Sequence, residues 1–211
     1  MKKNLTELVF IIDRSGSMSG FEKDTIGGFN STIEKQRMEE GECLVSTVLF
    51  DNEITVLHDR APISGITPMT KDEYTPRGYT ALLDAVGEAI HHIGNVHKYA
   101  RVEDVPERTI FVITTDGMEN ASRNYSYDKV RGMITKQTEK HGWEFIFLGA
   151  NIDAAKTADS LGIRRERAAN YCQSREGYTN CYEAIESYIS MSRRSVSEAD
   201  IDREWRKNLT K

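Results

Sequence analysis

Leu8-Val9-Phe10-Ile11-Ile12-Asp13-Arg14-Ser15-Gly16-Ser17-Met18-Ser19 is the stretch on which the reading of this chain turns. Five consecutive apolar residues, rich in β-formers, predict a strand covered on both faces, because a half-exposed strand alternates apolar with polar. The run ends at a carboxylate, followed at once by small polar residues suited to a loop. A second buried strand is predicted at Thr109-Ile110-Phe111-Val112-Ile113-Thr114, and it ends the same way, at Thr115-Asp116-Gly117.

Outward from these two strands, β-rich runs alternate with helical patterns. Residues 21–40 carry Ile26, Phe29 and Ile33 at helical spacing. Leu44 to Phe50 and Ile54 to Leu57 are strand-like, and the hairpin-type turn Asp51-Asn52-Glu53 between them makes the pair antiparallel. A loop over residues 59–78 holds three of the four prolines. A helix starts near Thr80 with Leu82, Leu83, Val86, Ile90 and Ile93 on one face, and another is marked by Tyr127, Val130 and Ile134. Trp143 to Leu148 reads as a strand. Ala154 to Leu161 reads as a short helix closed by Gly162 in a left-handed cap. A final edge strand over 168–172 precedes a helix over 176–193. Residues 196–211 form a tail, with a short extra helix anchored by Trp205, behind one domain of residues 1–195.

Such alternation predicts an α/β fold of three layers: a doubly wound, Rossmann-like, mostly parallel sheet with one antiparallel edge strand and helices on both faces. Right-handed crossovers bring every strand-to-helix loop to the carboxyl edge of the sheet, and ligands bind there. The 211 residues suffice for one domain with a two-sided core. A net charge of -5, with no basic stripe, argues against a nucleic-acid partner. Cys43, Cys172 and Cys181 are odd in number and lack C-x-x-C spacing, so no disulfide framework or zinc knuckle is expected. The first apolar run is too short for a signal peptide or a membrane span, which makes the cytoplasm the expected compartment.

By this topology Asp13, Ser15 and Ser17 after the first strand, Thr80 at the head of a helix, and Asp116 after the second strand all lie on one edge. The donors are hard oxygens, without histidine or thiolate. They suit Mg2+ or Mn2+, and Ca2+ less well, rather than zinc or copper. If the three hydroxyls bind the ion directly and the two aspartates hold it through water, the ion keeps its electrophilicity and takes an Asp or Glu from a partner. Asp116 moving into direct contact would partly neutralise the ion, a route to a switch.

Asp13-Arg14-Ser15-Gly16-Ser17 resembles the D-x-S-x-S segment of the metal-ion-dependent adhesion site of von Willebrand factor A domains. Thr80, within Gly78-Tyr79-Thr80-Ala81-Leu82, is similar to that family's lone threonine, and Asp116 to its final aspartate. The resemblance spans residues 5–195 and is nearest to small stand-alone bacterial members. It implies a divalent-metal-dependent protein-binding module with an unidentified acidic protein ligand and no catalytic role.

Each residue also has a plainer reading. Asp13, Ser17 and Ser19 can cap a helix, and Asp116-Gly117 alone is a turn signal. Glu119 and Asn120 read as solvated. Asp84 reads as an acid favoured by the helix dipole. Arg164-Arg165-Glu166-Arg167 and Arg193-Arg194 read as solvated charges, and His91-His92 as helix surface. Tyr79 reads equally as packing or as an aromatic contact for a partner. The competing function is a magnesium-dependent phosphatase or phosphotransfer enzyme using Asp13, since an Asp after a first parallel strand resembles haloacid dehalogenase-type phosphatases. Those need a second Asp two residues later, where this chain has Ser15. No phosphate-cradling glycine motif follows a strand, which argues against nucleotide binding.

Overall fold

A computed structural model describes residues 1–210 as a six-stranded sheet between two helical layers. The strands are β1 (Lys2–Asp13), β2 (Glu42–Phe50), β3 (Ile54–Pro62), β4 (Pro106–Thr115), β5 (Glu144–Gly149) and β6 (Ala168–Asn170). The helices are α1 (Glu22–Arg37), α2 (Leu82–Tyr99), α3 (Tyr127–His141), α4 (Ala154–Leu161), α5 (Arg175–Arg193) and α6 (Glu198–Glu204). Strand order is β3-β2-β1-β4-β5-β6, parallel throughout except for β3, which runs antiparallel to β2 at one edge. The expected mostly parallel, doubly wound sheet with one antiparallel edge is the fold observed.

Period-two alternation within the central strand sorts its side chains between two cores. Leu8, Phe10 and Ile12 point to a core shared with Phe29 and Ile33 of α1 and Tyr182, Ile185 and Ile189 of α5. Val9 and Ile11 point to the opposite core, with Val86 and Ile90 of α2, Val130 and Ile134 of α3, and Leu161 of α4. Both faces of β1 are dry over Leu8 to Ile12, which is why that segment is a continuous apolar run rather than an alternating one. Gly162 caps α4 at φ 81°, in the left-handed conformation expected of it.

Strand β1 starts at Lys2, six residues before the apolar run. Its start is polar in sequence, yet Glu7 is fully buried there, held by Arg60 from β3 and His97 from α2. Strand β3 likewise runs to Pro62, into the stretch read as loop, with register shifts on the way. Two other charged groups read as solvated are structural. Arg167 is 4% exposed; it stacks over the Tyr188 ring and pairs with Asp202 at 2.7 Å, off the hydrogen-bonding angle. Arg193 donates to the carbonyls of Gln36, Glu40 and Gly41, closing the C-terminal end of α1 onto α5.

Within the tail, Trp205 is 1% exposed, meets Tyr188 edge to face and donates its indole N–H to the Glu166 carbonyl. Lys211, the last residue of that tail, lies outside the described residues. Among the described residues no helix is long and apolar enough to cross a membrane.

Candidate metal centre

The chain leaves β1 for α1 on one side of the sheet, while β4 lies on the other side of β1. Strand order therefore reverses between β1 and β4, and their carboxyl ends open a crevice. Asp13 ends β1 and Asp116 follows β4, so the two carboxylates flank that crevice. Buried tyrosines hold both strand ends from beneath: the Tyr74 hydroxyl donates to the Asp13 carbonyl at 2.6 Å, and the Tyr171 hydroxyl reaches the Thr115 carbonyl at 3.4 Å.

Asp13 is fully buried and both its oxygens are engaged. Oδ1 accepts the Ser15 backbone N–H at 2.7 Å, which turns the loop back so that the Ser15 and Ser17 hydroxyls lie 3.1 Å apart. Oδ2 accepts the Thr115 hydroxyl at 2.6 Å. Across the crevice the Ser17 hydroxyl donates to Asp116 Oδ1 at 2.6 Å. The third segment arrives from α2: a Cβ placed on Gly117 would sit 3.3 Å from the Thr80 hydroxyl oxygen and 3.7 Å from that of Ser17. The three hydroxyls and two carboxylates thus come together around a space that a side chain at position 117 would intrude upon. Asp13, Ser15, Thr80 and Asp116 are each at most 3% exposed, whereas Gly16 and Ser17 are exposed, so the cluster opens to solvent on their side.

Burial sets the electrostatics. It pushes the Asp13 carboxyl up to about 6 against the lowering effect of its hydrogen bonds from Thr115 and Ser15, and the nearby Asp116 charge adds to the rise. Asp116 is raised too, chiefly by burial, and the Ser17 hydroxyl opposes the shift. Two carboxylates that resist ionisation in the metal-free protein are groups that a dication would stabilise. Among the described residues no three His, Cys, Asp or Glu side chains gather as a metal site. This donor set is instead two carboxylates and three hydroxyls, which fits a hard cation that keeps several waters.

The loop carrying Thr80 is fixed by groups that the sequence did not reveal. Asp51, read only as part of a turn, is fully buried; its Oδ2 accepts Arg14 Nε and Arg77 Nε, each at 2.9 Å, and its carbonyl accepts the Ala81 N–H. Gly16 N–H donates to the Gly78 carbonyl, joining the first loop to the second. Gly78 has φ 64°, where a side chain is strained, and a Cβ there would lie 1.9 Å from Asn52 Oδ1 and force that side chain to move.

Glu119 and Asn120 are not simply solvated. Asn120 Oδ1 accepts the Thr80 N–H at 2.9 Å, and Glu119 accepts the Leu83 N–H at 2.9 Å, capping α2 from the loop after β4. Asp84 does more than complement a dipole, since its carboxylate accepts the backbone N–H groups of Arg123, Asn124 and Tyr125. A fourth loop also enters the centre. Gln173, between β6 and α5, donates through Nε2 to Asp116 Oδ2 at 2.8 Å and to the Ser17 carbonyl at 3.1 Å. A lone glutamine after a three-residue strand carried no signal that could have found it.

No protein-family model matches the sequence, and no curated protein matches it. Solved structures do match. Proximal thread matrix protein 1 from the mussel byssus, in a structure with a zinc-occupied MIDAS motif, superposes with TM-score 0.58 at 14% identity, covering 89% of this chain and 46% of that one. Manganese-loaded TRAP protein of Plasmodium vivax gives 0.57 at 17%, covering 85% and 72%. The vWF domain of the type V pili tip protein Mfa5 from Porphyromonas gingivalis gives 0.59 at 12%, covering 89% and 95%. The chain thus spans less than half of the mussel protein and nearly all of the pilus-tip domain. Identities this low leave the backbone arrangement as what is shared, and by that arrangement this chain has the fold of a von Willebrand factor A domain.

Proposed function

We propose that the chain is a divalent-cation-dependent protein-binding module. Asp13, Ser15, Ser17, Thr80 and Asp116 would hold Mg2+ or Mn2+, and the bound cation would supply a Lewis-acidic position for an Asp or Glu side chain of a partner protein. One observation carries this reading: three neutral hydroxyls and two hydrogen-bonded carboxylates from three loops meet at the switch point of the sheet, open to solvent at Gly16 and Ser17. The zinc- and manganese-loaded structures of the same fold support it. Tyr79 and Met118, 69% and 75% exposed, border Thr80 and Gly117 and offer apolar surface beside the ion position.

A phosphotransfer role for Asp13 is disfavoured, because a fully buried carboxylate with both oxygens taken by Ser15 and Thr115 has no line of attack on a substrate. We therefore read the chain as non-catalytic. A reducing, cytoplasmic compartment is supported by three free cysteines, of which Cys172 is exposed.

Isothermal titration with Mg2+ and Mn2+ between pH 5 and 8 tests the reading. Cation binding requires ionised Asp13, whose carboxyl in the metal-free protein sits at about 6. Affinity is expected to hold steady above pH 7 and to fall by up to about tenfold per unit below pH 6. Metal-free stability should move the other way. The folded carboxyl binds its proton more tightly than the unfolded one at 3.8, so acidifying from pH 7 towards 4 favours the folded state through this group. Absence of binding at pH 8 would refute the proposal. Flat affinity down to pH 5 would remove Asp13 from the centre.

A further inference from the structure

We infer that Gln173 is a positioning residue that holds the Asp116 carboxylate back from the cation, keeping a coordination position free for the partner's acid. The inference rests on the metal-binding reading above and concerns what that reading leaves open, namely which group decides how closely Asp116 approaches the ion.

Both oxygens of Asp116 are occupied by protein donors. Oδ1 takes the Ser17 hydroxyl at 2.6 Å and Oδ2 takes Gln173 Nε2 at 2.8 Å. The second hydrogen of the same amide goes to the Ser17 carbonyl at 3.1 Å, and its oxygen accepts Asn151 Nδ2 at 2.7 Å. Every polar position of the Gln173 amide facing the protein is therefore used, and its orientation is determined. Turning it over would set its oxygen against both the Asp116 carboxylate and the Ser17 carbonyl, and would leave two donors facing each other at Asn151.

The mounting of Gln173 is firm on both sides. Asn151, two residues past the end of β5, stands at φ 54°, and on the other side Ser174 caps α5 by accepting the Gly177 N–H at 3.1 Å. The amide reaches the centre from a loop distinct from the three that supply the metal donors.

The donor's chemistry matters. A lysine or arginine here would hold Asp116 equally well but would neutralise it and repel the cation. A neutral amide restrains the carboxylate while leaving its full charge to offset the ion at a distance. Removing that restraint frees Oδ2. The carboxylate is then able to bond the cation directly, replacing a bound water, strengthening metal binding and lowering the ion's appetite for a further acid.

The 211-residue wild type, Q173A and N151G are titrated with Mn2+ alone. Dissociation constants are read by electron paramagnetic resonance, and metal-bound water by the relaxation rate of solvent protons. Gln173 is partly exposed, and matching thermal melts confirm that each variant is folded. Q173A is expected to bind Mn2+ about threefold to tenfold more tightly, the scale of one net hydrogen bond at a partly exposed position, and to relax solvent protons more weakly because fewer exchanging waters remain. N151G, which removes the support and keeps the left-handed backbone of residue 151 accessible, shifts both quantities in the same direction by less. A merely structural role for Gln173 would weaken Mn2+ binding and leave the relaxation per bound ion unchanged, and either result overturns the inference. If wild type does not bind Mn2+, the metal-binding reading itself fails and this inference with it. If wild type binds and Q173A matches it in both quantities, only the role of Gln173 is lost.

Discussion

Asp13→Asn is expected to lower Mg2+ and Mn2+ affinity by about 10-fold to 100-fold, the usual cost of losing a group that holds a metal site from just behind its direct donors. The same substitution should make the metal-free protein more stable at pH 8. The gain follows from burial. Asp13 is 0% exposed and its carboxyl is displaced from 3.8 to about 6, so holding it ionised in the folded protein opposes folding by about 1–3 kcal/mol at that pH. Asparagine keeps the shape and suits the neighbours. Its oxygen can still accept the Ser15 N–H, and its amide can donate to the Thr115 hydroxyl, which already has the Gly117 carbonyl at 3.1 Å as an alternative acceptor. Melting the metal-free proteins at pH 8 should raise Tm by several degrees in the variant. The difference should shrink towards pH 5, where wild-type Asp13 is itself largely neutral. Metal titration of the two proteins checks the other half. A variant that binds Mn2+ as wild type does, or a metal-free variant that melts lower at pH 8, would show that Asp13 is a structural group and not a functional one held at a cost to stability.

Asp51→Ala should give the largest loss of stability. Asp51 Oδ2 holds two guanidinium groups, Arg14 and Arg77, and Oδ1 accepts the Glu53 N–H at 2.7 Å. The Arg77 side chain is half in solvent and loses little. The Arg14 side chain is only 8% exposed and would keep its hydrogen bond to the Thr55 hydroxyl at 2.8 Å. Stranding a buried guanidinium typically costs about 3–5 kcal/mol, which for a chain of this length is about 6–20 °C in Tm. Because Arg14 lies between Asp13 and Ser15, and Arg77 precedes Gly78 in the Thr80 loop, Mn2+ affinity should fall as well, although residue 51 contributes no donor to the centre. Thermal melts with and without Mn2+ separate the two effects. A variant within about 1 kcal/mol of wild type would mean that Arg14 finds another partner or reaches water.

The order in which features became legible has a physical basis. Strands β1 and β4 were readable because both of their faces are buried, so no solvent-facing polar residues interrupt their apolar runs. The candidate site residues could be placed together because they stand directly after those strands and at the head of α2, in segments whose position the topology alone dictates. Partnerships between charged and polar side chains distant in sequence were not readable. Glu7, Asp51, Asp84, Glu119 and Arg167 all look like surface residues until the groups that satisfy them are in place, since a carboxylate is buried only where donors meet it. Glu7 hid the first half of β1 for this reason, and Asp51 passed for an ordinary turn residue. Gln173 is the extreme case, because its meaning depends on Asp116, Ser17 and Asn151, none of which is near it in sequence.

Asp13, Ser15, Ser17, Thr80 and Asp116 serve one purpose in the proposal: to present hydroxyl and carboxylate oxygens from three loops to a single hard cation. A crystal soaked in Mn2+ and measured at the manganese absorption edge tests this directly. An anomalous peak bounded by the Ser15, Ser17 and Thr80 hydroxyls, with Asp13 and Asp116 behind it, is the predicted result. No peak at that place, or a single strong peak elsewhere, such as beside the exposed His92 and Asp59 pair, would contradict it.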